Sequence, residues 1–218
     1  QFIPNNSRIE QRQESFERQE SFERPKTKEM QVLGELNKGV KDFNKIQKII
    51  EKYPSEKQQS AVIPILDIAQ RQNNGWLSRE AIEKVAKTLS MSFIRVLEIV
   101  TFYSMFNLEP VGKYFVQICR TTPCWLRGSD KLVNVAKEIT RCDIGSTSED
   151  DKFTVVEVEC LGACCNAPMV QINDDYYEDL NENNFKELLL KLKDGSPVIK
   201  GSQIGRQCSE PNRDKKNA

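Results

Sequence analysis

The stretch KYFVQICRTTPC, residues 113–124, decides the fold of the second half of the chain. Its first seven residues follow the polar–apolar alternation of a half-buried β-strand. That strand pattern stops at Cys119, and Cys124 follows after four further residues that include a proline. In an open sheet, ligands bind at the edge where such strands end. The stretch therefore predicts a strand that carries a pair of cysteines to a binding edge.

A second cysteine cluster repeats this arrangement later in the chain. The segment FTVVEVEC, residues 153–160, is another alternating strand, and it ends at Cys160. Cys164 follows after the three residues LGA. Two strands that end at the same edge of a sheet bring their loops together. We therefore expect the two cysteine pairs to converge on one point.

The remaining patterns predict an open sheet with helices on its faces. Residues 169–173 (MVQIN) alternate as a third strand, and DDYY at 174–177 predicts a turn into a short fourth one. Helix-period apolar residues follow Asp130 and recur over 181–195 up to Gly195, which is a typical helix stop. These inward-facing positions are Leu132, Val133, Ala136, Ile139, Phe185, Leu188, Leu189 and Leu192. This order of strands and helices is typical of a small layered domain.

The first half of the chain is helical from residue 42 to about 107. Three or four amphipathic helices with short connections predict a small bundle. Residues before this region are polar and contain QESFER twice in tandem, at 13–18 and 19–24. The predicted fold class is therefore α+β, an N-terminal helical bundle followed by an α/β domain. The predicted limits are an extended polar arm at 1–39, the helical domain at 40–110, the α/β domain at 111–195 and a tail at 196–218.

Composition excludes several classes of function. Lys and Arg together number 32, as do Asp and Glu, so the basic excess of a nucleic-acid-binding protein is missing. No apolar stretch approaches the roughly 18 residues of a membrane-spanning helix. The chain has no histidine, which excludes histidine bases, histidine zinc sites and mixed histidine–cysteine clusters. It begins at Gln1 without a secretory signal, so we expect that any targeting segment was removed or never present.

Cysteine spacing leaves three kinds of site open. The chain has seven cysteines, an odd number, so they cannot all pair within it. The clusters would suit a [2Fe-2S] cluster, a tetrahedral zinc ion or two disulfides, and the wide spacing favours them in that order. Spacing also leaves Cys165 open as a ligand, because pairing it with Cys160 repeats the four-residue gap. Gly128, Gly162 and Ala163 are small enough to let backbone N–H groups approach the sulfur atoms.

Several stretches resemble the thioredoxin-like [2Fe-2S] ferredoxin family. The second half carries VGKYFVQICRTTPCWLRGSD at 111–130 and VEVECLGACCNAPMVQINDDYYEDL at 156–180. The first half carries PILDIAQRQNNGWLS at 64–78 and VLEIVTFYSMFN at 96–107, which resemble the helical domain of respiratory members. One departure is the pair of asparagines before the GW dipeptide, where the family usually has a single one. The arm at 1–39 has no counterpart in the family.

The resemblance implies a fold and a ligand set. The fold is a thioredoxin-like α/β domain that carries a [2Fe-2S] cluster after a helical bundle. The family pattern, carried onto this chain, assigns the cluster to Cys119, Cys124, Cys160 and Cys164. It assigns no ligand role to Cys165. It does not decide whether the Ala167–Pro168 peptide bond is cis or trans. Such folds often have a cis proline at this place, whereas trans bonds are commoner in general.

The resemblance also implies electron transfer within respiratory complex I, the NADH:ubiquinone oxidoreductase. The implied cluster exchanges single electrons with FMN in a partner subunit that oxidises NADH. A neighbouring iron–sulfur subunit of the peripheral arm is the second implied partner. The implied location is the matrix side of the mitochondrial inner membrane, as a peripheral part of a membrane-bound complex. The activity is that of the complex, a translocase, and no side chain of this chain is implied to be catalytic.

Two other functions compete with this interpretation. The same ferredoxin module occurs in soluble NAD-linked hydrogenases and formate dehydrogenases, where it carries electrons for another terminal reaction. A structural zinc domain with four cysteine ligands would have no redox role. The long N-terminal arm favours the mitochondrial function over the soluble enzymes.

Overall fold

The computed structural model of the protein describes residues 43–211. The predicted arm at 1–39 and the end of the predicted tail, 212–218, lie outside these residues. The chain divides into two compact units. The first extends up to Ala69 and includes Arg79–Ile99, and the second contains Gln70–Ser78 and the chain from Val100 onward. The domain limits at 39, 110 and 195 stay predictions.

The predicted helices of the first half are present. They are α1 (Phe43–Ile50), α2 (Val62–Gln72), α3 (Arg79–Thr88) and α4 (Phe93–Phe102). Each helix buries the apolar side chains that recur at helical spacing, which is why these segments fold as helices. Those buried residues include Ile46, Ile50, Ile65, Leu66, Ile82, Val85, Val96 and Val100. None of the helices in the described part of the chain is long and apolar enough to cross a bilayer.

The second unit contains a mixed sheet. Its strands are β1 (Tyr114–Cys119), β2 (Ser146–Thr147), β3 (Phe153–Val158), β4 (Val170–Ile172), β5 (Asp175–Glu178) and β6 (Gly201–Ser202). The strand order is β2-β3-β1-β4-β5-β6. β1 pairs parallel with β3, and β4 pairs antiparallel with both β1 and β5. The parallel pair places the ends of β1 and β3 at the same edge, as the sequence predicts.

Helices α6 (Ser129–Thr140) and α7 (Glu182–Asp194) complete this unit. One buried cluster joins their apolar faces to the sheet, including Val116, Ile118, Leu132, Ala136, Phe153, Phe185 and Leu189. Asn181 caps the start of α7, where its side chain accepts the N–H groups of the first turn, and Gly195 caps the end with φ of 74°. The predicted closing helix and its glycine stop are therefore confirmed.

Three short elements were not predicted from sequence. A helix, α5 (Thr122–Leu126), lies inside the first cysteine loop, and β2 pairs with β3 through two residues. β6 pairs parallel with β5, so part of the tail belongs to the sheet. Elements of two to five residues have too few positions to produce a periodic pattern, so sequence alone does not reveal them.

Candidate metal centre

The four predicted ligands lie at one edge of the sheet. In the parallel pair, Cys119 at the end of β1 is opposite Val158 at the end of β3. α5 carries Cys124, and the loop after β3 carries Cys160. The predicted strand end at Cys160 is wrong by two residues, because β3 ends at Val158 and the chain turns away before the cysteine. The predicted convergence of the two cysteine loops is present.

Short contacts hold the thiols together in two pairs. The sulfur atoms of Cys160 and Cys164 are 3.4 Å apart, and the thiols of Cys119 and Cys124 are close enough for each to shift the pKa of the other. Thr121 is near both pairs, because its hydroxyl is 3.1 Å from the Cys119 sulfur and its side chain also lowers the pKa of Cys160. No sequence pattern marks Thr121 as part of the site, since threonine is not a usual ligand of such centres.

The two pairs differ in exposure. Cys119 and Cys124 are each 1% exposed and pack against Ala167 and Met169. Cys160 and Cys164 are exposed. The site is therefore dry on the side of the sheet and open on the side of the second loop.

The first pair has opposed pKa shifts. Burial raises the pKa of the Cys119 thiol, but hydrogen bonds from the side chain and backbone of Thr121 outweigh burial and leave the pKa lowered. Burial raises the pKa of Cys124 to about 12, against a backbone hydrogen bond from Met169. Cys119 is therefore the thiol of this pair that ionises first.

The second pair repeats this division. The backbone N–H of Gly162 lowers the pKa of Cys160, and the thiol of Cys164 lowers it further. The hydrogen bond to Cys160 raises the pKa of Cys164, with burial adding to that effect. Each pair thus has one thiol with a lowered pKa and one with a raised pKa. The thiol with the raised pKa loses its proton when it binds a metal.

Backbone N–H groups also point at the sulfur atoms. The Gly162 N–H donates to the Cys160 sulfur over 3.4 Å, and Gly162 has φ of 86°, a conformation that favours glycine. This confirms the predicted approach at Gly162. The N–H of Gly128 itself donates to the Trp125 carbonyl oxygen over 2.9 Å, so the predicted approach of other N–H groups near Gly128 stays a prediction. The approach at Ala163 stays a prediction.

The remaining cysteines have other environments. Cys142 is buried, with its sulfur 3.0 Å from the Thr140 hydroxyl. Cys165 and Cys208 are exposed. All cysteines in the described part of the chain are free, and the 3.4 Å separation in the second pair exceeds the roughly 2.05 Å of a disulfide. The Ala167–Pro168 peptide bond is cis, a state that the sequence alone does not decide.

The donor set fits a [2Fe-2S] cluster. Such clusters are held by four cysteine thiolates, and hydrogen bonds to the sulfur atoms tune their potential. Four thiols in two pairs meet this requirement, with the Gly162 N–H donating to the Cys160 sulfur and the Thr121 hydroxyl within hydrogen-bond distance of the Cys119 sulfur. Within residues 43–211, no group of three or more Cys, Asp or Glu side chains is already arranged to hold a single metal ion.

Comparisons with known proteins agree with this chemistry. Residues 46–193 match the family described as thioredoxin-like [2Fe-2S] ferredoxin. An NADH-quinone oxidoreductase subunit from Rickettsia prowazekii (strain Madrid E) is 55% identical over 149 residues, which are 68% of this chain and 84% of that protein. The mitochondrial NADH dehydrogenase [ubiquinone] flavoprotein 2 of Dictyostelium discoideum is 48% identical over 166 residues, which are 76% of this chain and 67% of that protein.

A solved structure shares the fold. An air-oxidized NAD+-reducing [NiFe]-hydrogenase superposes with a TM-score of 0.54 and 20% sequence identity. The match covers 61% of this chain and 23% of the hydrogenase chain. At this level of identity the likeness concerns the fold alone.

Proposed function

Because this chain belongs to the thioredoxin-like [2Fe-2S] ferredoxin family, we propose that its converging thiols hold a [2Fe-2S] cluster. The proposed ligands are Cys119, Cys124, Cys160 and Cys164. The observation that carries the proposal is the meeting of two thiol pairs at one sheet edge. Cys165 is not a proposed ligand. Its backbone carbonyl oxygen accepts a hydrogen bond from Arg206.

The proposed role is single-electron transfer, the chemistry that a bound [2Fe-2S] cluster supplies. Side chains of this chain bind and shield the centre and make or break no bonds of a substrate. The buried first pair excludes water from one side, and the Gly162 N–H and the Thr121 hydroxyl oppose the negative charge of the thiolates. The exposed second pair leaves a short route for an electron to a partner.

We assign this role to a subunit of an NADH:quinone oxidoreductase, respiratory complex I. Relatives at 55% and 48% identity, named for that enzyme, support the assignment. The proposed electron partner is the NADH-oxidising subunit that holds FMN, and a second neighbour is an iron–sulfur subunit of the peripheral arm. The enzyme activity, including proton translocation, would belong to the assembled complex.

The proposed location is the matrix side of the mitochondrial inner membrane, as a peripheral part of the complex. The mitochondrial relative from Dictyostelium discoideum supports this location, while the Rickettsia relative is bacterial. The domain limits at 40–110, 111–195 and 196–218 are part of the same proposal, with the helical region as a docking surface. A hydrogenase subunit is less favoured, since the hydrogenase likeness at 20% identity reaches only the fold.

A reconstitution experiment tests the function. The chain is combined with an FMN-binding, NADH-oxidising subunit from a relative's complex, and NADH is added without oxygen. We expect NADH to produce the paramagnetic signal of a reduced two-iron centre in this chain. A Cys119→Ser, Cys124→Ser double variant serves as the control and should give no such signal. A wild-type chain that carries its cluster yet stays oxidised under NADH, but not under dithionite, would refute the proposed role in NADH oxidation.

A further inference from the structure

The second cysteine loop is held by the C-terminal segment as well as by the sheet, where the Tyr176 hydroxyl of β5 donates to the Leu161 carbonyl over 2.7 Å. Its cysteines follow the end of β3, and Cys164 begins a short 3-10 turn, Cys164–Asn166. The first pair differs, because Cys119 is part of β1 and Cys124 part of α5. The exposed pair therefore depends on contacts from elsewhere to keep its position.

An ion pair of low exposure fixes the C-terminal segment. The Arg206 guanidinium donates to both carboxylate oxygens of Asp179, over 3.1 Å to Oδ2 and through Nη2 to Oδ1. Their side chains are only 10% and 8% exposed. The Ser202 hydroxyl donates to the same carboxylate over 2.7 Å. Paired hydrogen bonds of this kind have a geometry that a lysine cannot reproduce.

The same ion pair contacts the second cysteine loop directly. Arg206 Nη2 donates to the backbone carbonyl of Cys165 over 2.9 Å. The Asp179 N–H donates to the backbone carbonyl of Asn166 over 2.8 Å. Both partners of the ion pair therefore hold the backbone of the turn that begins with Cys164.

Asn166 adds a second connection. Its buried side chain donates from Nδ2 to the Cys208 carbonyl over 2.7 Å and to the Glu178 carboxylate over 2.6 Å. The C-terminal segment, residues 201–208, is thus hydrogen-bonded to the turn at two of its residues, Arg206 and Cys208. Removing the Arg206 charge while this segment stays in place would leave the Asp179 carboxylate, 8% exposed, without its counterion, which is costly.

We propose that Arg206 is a positioning residue that, through Asp179 and the Cys165 carbonyl, holds Cys160 and Cys164 in place for the metal centre. The inference rests on the proposed cluster, and it goes further by assigning a role in the site to the C-terminal segment. Arg206 does not touch the cysteine sulfur atoms. It acts by limiting the opening of the exposed loop.

The test compares three variants of the full chain. Arg206→Gln removes the charge, and Arg206→Lys keeps the charge but loses the paired geometry. Lys200→Ala is the matched control, because Lys200 makes an exposed ion pair with Asp175 over 2.8 Å just before the same C-terminal segment. The readouts are the rate at which an iron chelator removes the cluster, the paramagnetic spectrum after dithionite, and amide hydrogen exchange at Asn166 and Asp179.

We expect Arg206→Gln to lose its cluster about tenfold faster or more, with a changed spectrum and faster exchange at both amides. Arg206→Lys should fall between this variant and the wild type, and Lys200→Ala should match the wild type. If Arg206→Gln does not fold, the proposal is tested by the same measurements on Arg206→Lys and the wild type. Wild-type release rates, spectra and exchange in both Arg206 variants would overturn the inference.

These readouts separate the inference from the proposed function. A wild-type chain that binds no iron would contradict the proposed cluster. Hydrogen exchange of the metal-free chain would still show whether Arg206 restrains the loop. Unchanged exchange in the variants would defeat the positioning role even if the cluster is present.

Discussion

Replacing Gly162 with alanine should separate the tuning of the metal centre from the stability of the fold. Gly162 has φ of 86°, and an added Cβ would meet nothing within 4 Å. The substitution is therefore opposed by backbone conformation and not by a clash, at a cost of about 1–2 kcal/mol. The backbone relieves this cost by rotating, which moves the Gly162 N–H away from the Cys160 sulfur, now 3.4 Å distant.

The size of the electronic effect follows from that hydrogen bond. An N–H donor stabilises the more negative, reduced centre more than the oxidised one, so its loss lowers the midpoint potential. A difference of about 0.5–1.5 kcal/mol for one hydrogen bond corresponds to about 20–60 mV for a one-electron couple. We expect a decrease of this size in a potentiometric titration of Gly162→Ala followed by its paramagnetic signal.

Gly145→Ala provides the matched control. Gly145 also has a positive φ, 81°, with nothing within 4 Å of an added Cβ, and its N–H donates to the Val155 carbonyl, away from the cysteines. Both variants should lower the free energy of unfolding by about 1–2 kcal/mol, and only Gly162→Ala should lower the potential. Equal potentials in the two variants, or equal shifts from the wild type, would refute the reasoning.

Three further predictions concern ligands, packing and pH. Cys160→Ser should lose the visible spectrum of the centre whereas Cys165→Ser keeps it, and a bleached Cys165→Ser would show that the ligand choice is wrong. Gly112→Ala should lower the free energy of unfolding by about 2 kcal/mol or more, because its Cβ would lie 2.8–2.9 Å from backbone atoms at the start of β3; an unchanged denaturation midpoint would contradict this. The Arg71 hydrogen bond lowers the pKa of Asp174, so this pair stabilises the fold above roughly pH 4 and the stabilisation is lost as the pH falls through the folded-state pKa. Arg71→Ala should raise the Asp174 pKa in an NMR titration and lower stability by less than about 1 kcal/mol near pH 7, with no difference at pH values below both pKa values.

Much of the fold was predictable because its main elements are long and periodic. The four helices of the first half and α7 each repeat apolar residues over two or more turns, and β1 and β3 alternate over six residues. The position of Cys119 followed directly from the end of β1. The predicted end of β3 at Cys160 is two residues too late, because the alternating pattern continues in the sequence beyond Val158, the last residue of the strand.

Contacts distant in sequence were not predictable. The ion pair between Arg206 and Asp179 joins residues 27 positions apart, and neither is marked by a local pattern. The role of Thr121 depends on two loops meeting, which only the three-dimensional arrangement reveals. The choice of Cys164 over Cys165 came from family resemblance, and it stays a prediction until the ligands are tested.

Chemical analysis of the wild-type chain, purified without oxygen, tests the central claim most directly. The account predicts two iron atoms and two acid-labile sulfides per chain, brown colour, and a paramagnetic signal that appears only after dithionite reduction. A colourless chain that contains one zinc ion, or no metal with the cysteines joined in disulfides, would contradict it.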